Sequence, residues 1–185
     1  MTRAIFLPPW RVDVTVREGV TMPASKAGLS RMVAAALDAA GAPVPASIGL
    51  ILSGDLELAD LNAAHMGKDG PTDVLSFPLL PPEAFPTHAG KAPGGATHEA
   101  EAFPLPPGQR QHLGDIVISV ERAAEQASAG RGGQTGNVRW AAMDELRLLA
   151  VHGTLHVCGW DHAEPAEEAA MRELETRLLG RAPTA

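Results

Sequence analysis

A chain of 185 residues, 45% of them hydrophobic, is long enough for one domain with a real core and short for two. Its formal charge of −7 argues against a broad basic surface for nonspecific nucleic-acid binding, though not against RNA held in a local groove or delivered by a partner. The single cysteine, Cys158, excludes an internal disulfide framework, and no apolar run reaches the roughly 18–20 residues a membrane span needs. The N-terminal MTRAIFLPPWRVDV lacks the apolar stretch and cleavage site of a signal peptide, so a cytoplasmic protein without a membrane partner is expected.

In chain order, WRVDVTV (Trp10–Val16) alternates apolar and polar residues and predicts a half-buried strand. Met22 to Ala40 places Leu29, Met32, Val33, Ala36 and Leu37 at helical spacing, with Gly41 as a stop. SIGLILS (Ser47–Ser53) is a second strand. DLELADLNAAHM (Asp55–Met66) is a short helix, with Ser53 or Asp55 as the expected cap and Gly67 at its end. TDVLSFP (Thr72–Pro78) is a third strand.

The stretch 79–110 is rich in Pro and Gly and shows no periodicity, which predicts a flexible insertion in which Phe85 and Phe103 are isolated. LGDIVIS (Leu113–Ser119) is a fourth, buried strand, and Val120 to Ala129 a helix. Asn137 then caps a long helix from about Val138 to Val157, with Trp140, Met143, Leu146, Leu148, Leu149 and Val151 toward the core. A last helix, Pro165 to Leu179, stops at Gly180. The expected fold is α+β, with mixed α/β-type layers: about four strands in a small mixed sheet packed with about five helices.

The long helix ends in HGTLHVCGWDH, His152 to His162. Four residues apart, His152 and His156 share one helix face. Gly159 allows a left-handed turn that can bring His162 back to the same point. Three neutral nitrogen ligands with no obvious fourth protein ligand suggest one zinc ion with a position open to water, the pattern of a catalytic site. Water so placed has a pKa near 7. Nickel or another imidazole-accepting metal remains open.

The spacing coincides with the metzincin H-E-x-x-H-x-x-G-x-x-H, but Gly153 stands where those proteases carry their general-base glutamate. A peptide or small-molecule hydrolase is thereby disfavoured. Gly153 also costs about 1 kcal/mol in a helix interior, which a substrate or a crowded backbone would explain. A closed structural zinc site is the other reading, but Cys158, two residues after His156, should point elsewhere and serve as core filler.

HGTLHVCGWDH, followed by a helix with Met171 and Glu175, resembles the YbeY family of bacterial zinc-dependent endoribonucleases, whose signature is H-G-x-L-H-x-x-G-x-D-H. LNAAHMGKDGPTDVLSFP (Leu61–Pro78) and LGDIVIS fit the same family in the same order. The resemblance implies a single YbeY-like domain over 1–185, a mixed sheet with surrounding helices, and zinc on His152, His156 and His162. It also implies cleavage of single-stranded RNA, 3′-end maturation of small-subunit ribosomal RNA, and ribosome quality control. The partners it implies are the small ribosomal subunit and its assembly factors.

One departure stands out. The family commonly has an arginine two residues before the Lys of GKD and an aromatic residue before that, where this chain has Met66 and His65. An arginine there would clamp phosphate, a task Lys68 can take only in part. Asp161 is the candidate for holding a histidine tautomer or acting as general base, while Asp73 and Asp115 are expected to be structural. A binding factor for ribosome assembly, with a mainly structural zinc and little nuclease activity, is the competing reading.

Overall fold

A computed structural model describes residues 2–89, 106, 109–129 and 141–180. Five strands form one mixed sheet: β1 (Thr2–Leu7), β2 (Trp10–Val16), β3 (Ala46–Ser53), β4 (Val74–Pro78) and β5 (Gln111–Ser119), in the order β1-β2-β3-β5-β4. The outer pairs β1/β2 and β4/β5 are antiparallel, while β2/β3 and β3/β5 are parallel. The helices are α1 (Lys26–Ala39), α2 (Asp55–Met66), α3 (Val120–Ala129), α4 (Ala142–Val157) and α5 (Pro165–Leu178). None of the described helices is long and apolar enough to cross a membrane.

Strand alternation divides the helices between the two faces. Val12, Val14, Ile48, Leu50, Leu52, Ile116 and Ile118 point to one side, where α1, α3, α4 and α5 complete the main core with Leu37, Leu149, Ala123 and Leu174. The opposite face is covered over part of its width by α2, whose Leu58 meets Leu75 and Val117 in a small second cluster. The Trp10 indole donates to Asp38 Oδ1 at 2.7 Å and fastens β2 to α1.

The expected α+β architecture is present, with one strand more than periodicity indicated. β1 is an edge strand with a largely exposed pattern, joined to β2 across Pro8 and Pro9, and an exposed edge leaves little alternation to read. Boundaries shift too. α1 begins at Lys26, capped by Ser25, whose hydroxyl accepts from the Gly28 N–H at 3.0 Å. α2 is capped by Gly54, and neither Ser53 nor Asp55 does that work; Ser53 donates to Glu57 at 2.5 Å, while the Asp55 N–H is taken by Glu121 at 2.6 Å.

The insertion is ordered where it begins. Pro82–Ala84 form a 3-10 turn, and Phe85, expected to be isolated, is 4% exposed within the main core. Phe103, Asn137, Trp140 and the expected helix start at Val138 lie outside the described residues.

Candidate metal centre

Helix α4 lies flat on the sheet because it carries no side chain at the point of closest approach. A methyl group added to Gly153 would sit 2.6 Å from Ile116 Cγ2 and 3.2 Å from both Ser76 Oγ and Val74 Cγ2. This crowding is what the helix-breaking residue offsets. Ser76 secures the contact by donating its hydroxyl to the Gly153 carbonyl at 3.1 Å. Leu146, Leu149, Ala150 and Leu155 are buried on the same helix. With these positions committed to the core, His152 and His156 are left half-buried on one face.

The helix ends as the sequence predicts. Gly159 has φ +79°, the Trp160 N–H bonds back to the Leu155 carbonyl, and the Gly159 N–H to that of His156, both at 3.0 Å. This pair is the Schellman arrangement, which reverses the chain tightly after the last turn. His162 thereby returns to the first two histidines. Ring centroids lie 4.5 Å apart for His152 and His156, 5.0 Å for His156 and His162, and 5.6 Å for His152 and His162.

One nitrogen from each ring lies within 4.8 Å of the other two, and among the described residues this is the one group of three or more metal-ligating side chains so disposed. His152 and His156 are half-buried and His162 exposed, so the cluster opens to solvent on the His162 side.

The outer partners decide which nitrogens converge. His156 Nδ1 faces the Trp160 carbonyl at 2.9 Å, and a carbonyl only accepts, so the proton sits on Nδ1. His152 Nδ1 faces Glu175 Oε1 at 2.7 Å, with the carboxylate buried between α5 and α4. Both Nε2 atoms are then lone pairs, and they meet at 3.1 Å. Two lone pairs at that distance repel unless a cation draws them together. Zn–N bonds of about 2.0–2.1 Å in tetrahedral geometry place neighbouring nitrogens about 3.3–3.4 Å apart. The donor set fits a metal ion. Burial, reinforced by neighbouring His152 and His162, lowers the His156 pKa to about 4, which keeps the ring in the neutral, ligating form.

Other residues singled out in the sequence fall as follows. Asp161 lies beside the cluster, but its carboxylate accepts the His162 backbone N–H at 2.8 Å; the imidazole partners are Glu175 and the Trp160 carbonyl. Cys158 is fully buried and its thiol is pushed up to about 12 by burial, which suits core filler. Asp73 braces the start of β4, accepting from the Val74 N–H at 2.9 Å and from Gln126 at 3.1 Å. Asp115 contacts His112 at 3.3 Å on the sheet face opposite α4.

Lys68 is exposed in the loop between α2 and β4. Met66 is 56% exposed at the end of α2, and the His65 ring meets Phe77 edge-on at 5.1 Å. Glu175 lies 23 residues beyond His152 on another helix, a separation no local spacing links, since only the tertiary fold joins the two. A backbone carbonyl such as that of Trp160 leaves no trace in a sequence.

A family model described as endoribonuclease YbeY matches residues 15–182. Proteins named endoribonuclease YbeY resemble the chain along most of its length. One from Salinispora tropica is 41% identical over 145 residues, covering 78% of this chain and 79% of its own. One from Dehalococcoides mccartyi is 31% identical over 175 residues, covering 90% and 91%. In fold, the chain is similar to a solution structure from Thermotoga maritima, with a TM-score of 0.50 at 19% identity, covering 90% of this chain and 89% of that one. With the match to the family model extending over all five helices, the strands β3, β4 and β5 and the end of β2, the chain belongs to the YbeY family.

Proposed function

We propose that this chain is a zinc-dependent endoribonuclease that cuts single-stranded RNA. The observation that carries the reading is the convergence of two imidazole lone pairs at 3.1 Å, joined by a third histidine on the solvent side, in a chain whose relatives bear the name endoribonuclease. His152, His156 and His162 hold the ion. When bound, zinc supplies Lewis acidity, making water nucleophilic near neutral pH and withdrawing charge from a phosphoryl oxygen.

The protein's own residues do the rest. Glu175 and the Trp160 carbonyl fix the two ring tautomers, so that both Nε2 atoms stay available. Position 153 is turned into the sheet, which leaves no room on that helix turn for the carboxylate a metzincin peptidase needs. Asp161, beside His162, is the proposed proton acceptor, and Lys68 the proposed phosphate contact. The proposed substrate is small-subunit ribosomal RNA near its 3′ end, met on the small subunit with its assembly factors, in the cytoplasm and in service of ribosome quality control. The proposed functional unit is one domain spanning 1–185.

His156→Ala tests the reading: zinc content and cleavage of a single-stranded ribosomal RNA fragment should fall together. Cleavage that persists after the metal is lost would overturn it. A ribosome-assembly factor with a structural metal is the second reading, favoured by Met66 in place of the family's arginine and by the charge of −7. It prevails if neither the wild type nor Met66→Arg cuts RNA while both co-sediment with small subunits.

A further inference from the structure

The ligand loop Cys158–His162 is touched from outside by a segment far from it in sequence. A methyl group added to Gly159 would lie 3.2 Å from both Cα and Cβ of Pro82. Six residues on, the His88 ring stacks on Trp160, with centroids 3.8 Å apart and planes inclined by 14°. Trp160 is the residue whose carbonyl fixes the His156 tautomer.

The segment bearing Pro82 and His88 is itself anchored. The Leu79 N–H bonds to the Leu113 carbonyl at 2.9 Å, Phe85 is buried in the core, and Pro86 closes on Gly41, where an added methyl would lie 2.9 Å from its Cγ. A strap fastened at three points thus presses on the turn that carries one ligand and orients another.

We propose that Pro82–His88 is a positioning strap of the metal centre, with His88 setting metal affinity through Trp160. The proposal rests on the reading that the three histidines hold a metal. Flat stacking on Trp160 restrains that residue's backbone, and with it the hydrogen bond to His156 Nδ1 and the return path to His162. His88 is a positioning residue and touches no reacting atom.

The test compares zinc affinity of the wild type, His88→Ala and His88→Phe by competition with a chromophoric chelator. Each protein is also loaded with cobalt(II), whose visible absorption reports ligand geometry. His88→Ala should bind zinc about tenfold more weakly, in the range that outer partners of metal ligands contribute, with an altered cobalt spectrum. His88→Phe, which keeps the flat face, should stay within about twofold of wild type by the same measure. His88→Leu, apolar but not planar, replaces the alanine variant if that one does not fold, with the same expectation.

An alanine or leucine variant that binds zinc as tightly as wild type, with an unchanged spectrum, overturns the proposal alone. So does a phenylalanine variant as weak as alanine. A wild type that takes up no zinc overturns the metal reading and the proposal with it.

Discussion

Alanine at position 153 sets two effects against each other. In a helix interior it gains about 1 kcal/mol over glycine. Here its methyl would lie 2.6 Å from Ile116 Cγ2, and forcing a group into a packed core costs roughly 1–3 kcal/mol. Backing away means lifting α4, whose Gly153 carbonyl is held by Ser76. The packing effect wins, so Gly153→Ala should lower the urea midpoint by the equivalent of up to about 2 kcal/mol. A midpoint that rises would show that the helix moves freely on the sheet.

Glu175 makes a different demand. Glutamine can still accept the His152 Nδ1–H, but without the charge that makes the ring a stronger donor to metal. Glu175→Gln should therefore weaken zinc binding about 10-fold, and Glu175→Ala toward 100-fold, by calorimetric titration. At this scale the histidine cluster was legible because helix periodicity fixes which histidines share a face. Their partners were not, because one is a carbonyl and the other lies on α5.

At the scale of elements, the end of α4 decides whether His162 reaches the cluster. Gly159 occupies φ +79°, where a residue with a Cβ costs roughly 1–2 kcal/mol, and Pro82 leaves the new methyl 3.2 Å of room. Gly159→Ala should destabilise the fold by about that much in thermal melts. It should also weaken zinc binding, since the turn can relax only by carrying His162 away. Unchanged affinity would mean that His162 is not positioned by this turn.

Elements were legible where burial shapes the local pattern: β2 buries every second residue, while β3 and β5 are short apolar runs buried on both faces. β1 escaped because its pairing partner, not its pattern, makes it a strand. The segment 82–88 escaped because Phe85 finds its core neighbours only in three dimensions. Periodicity names elements without ordering them, and nothing local announces that β3 lies beside β5 with β4 outside.

At the scale of the whole molecule, the fold holds the His156 imidazole neutral, and that gives its stability a pH dependence. His156 titrates near 4 in the fold, chiefly because it is buried, and near 6.5 when unfolded. Between those values the unfolded chain binds a proton that the native chain refuses. Acidification across this window therefore favours unfolding, stability rises with pH, and the contribution is complete above about 6.5. Below about 4 both states carry the proton and this group adds nothing further.

Glu57, whose carboxyl Arg17 holds below its ordinary value of 4.5, loses its share only toward the acid end. Denaturant melts of metal-free protein at pH 7.5 and pH 5 should thus differ more for the wild type than for His156→Gln, which has no proton to take up. On the order of 2 kcal/mol separates the two pH responses if burial acts as the fold indicates. Equal responses would show that the ring is already solvated without its metal, and that the ion, not the packing, builds the site.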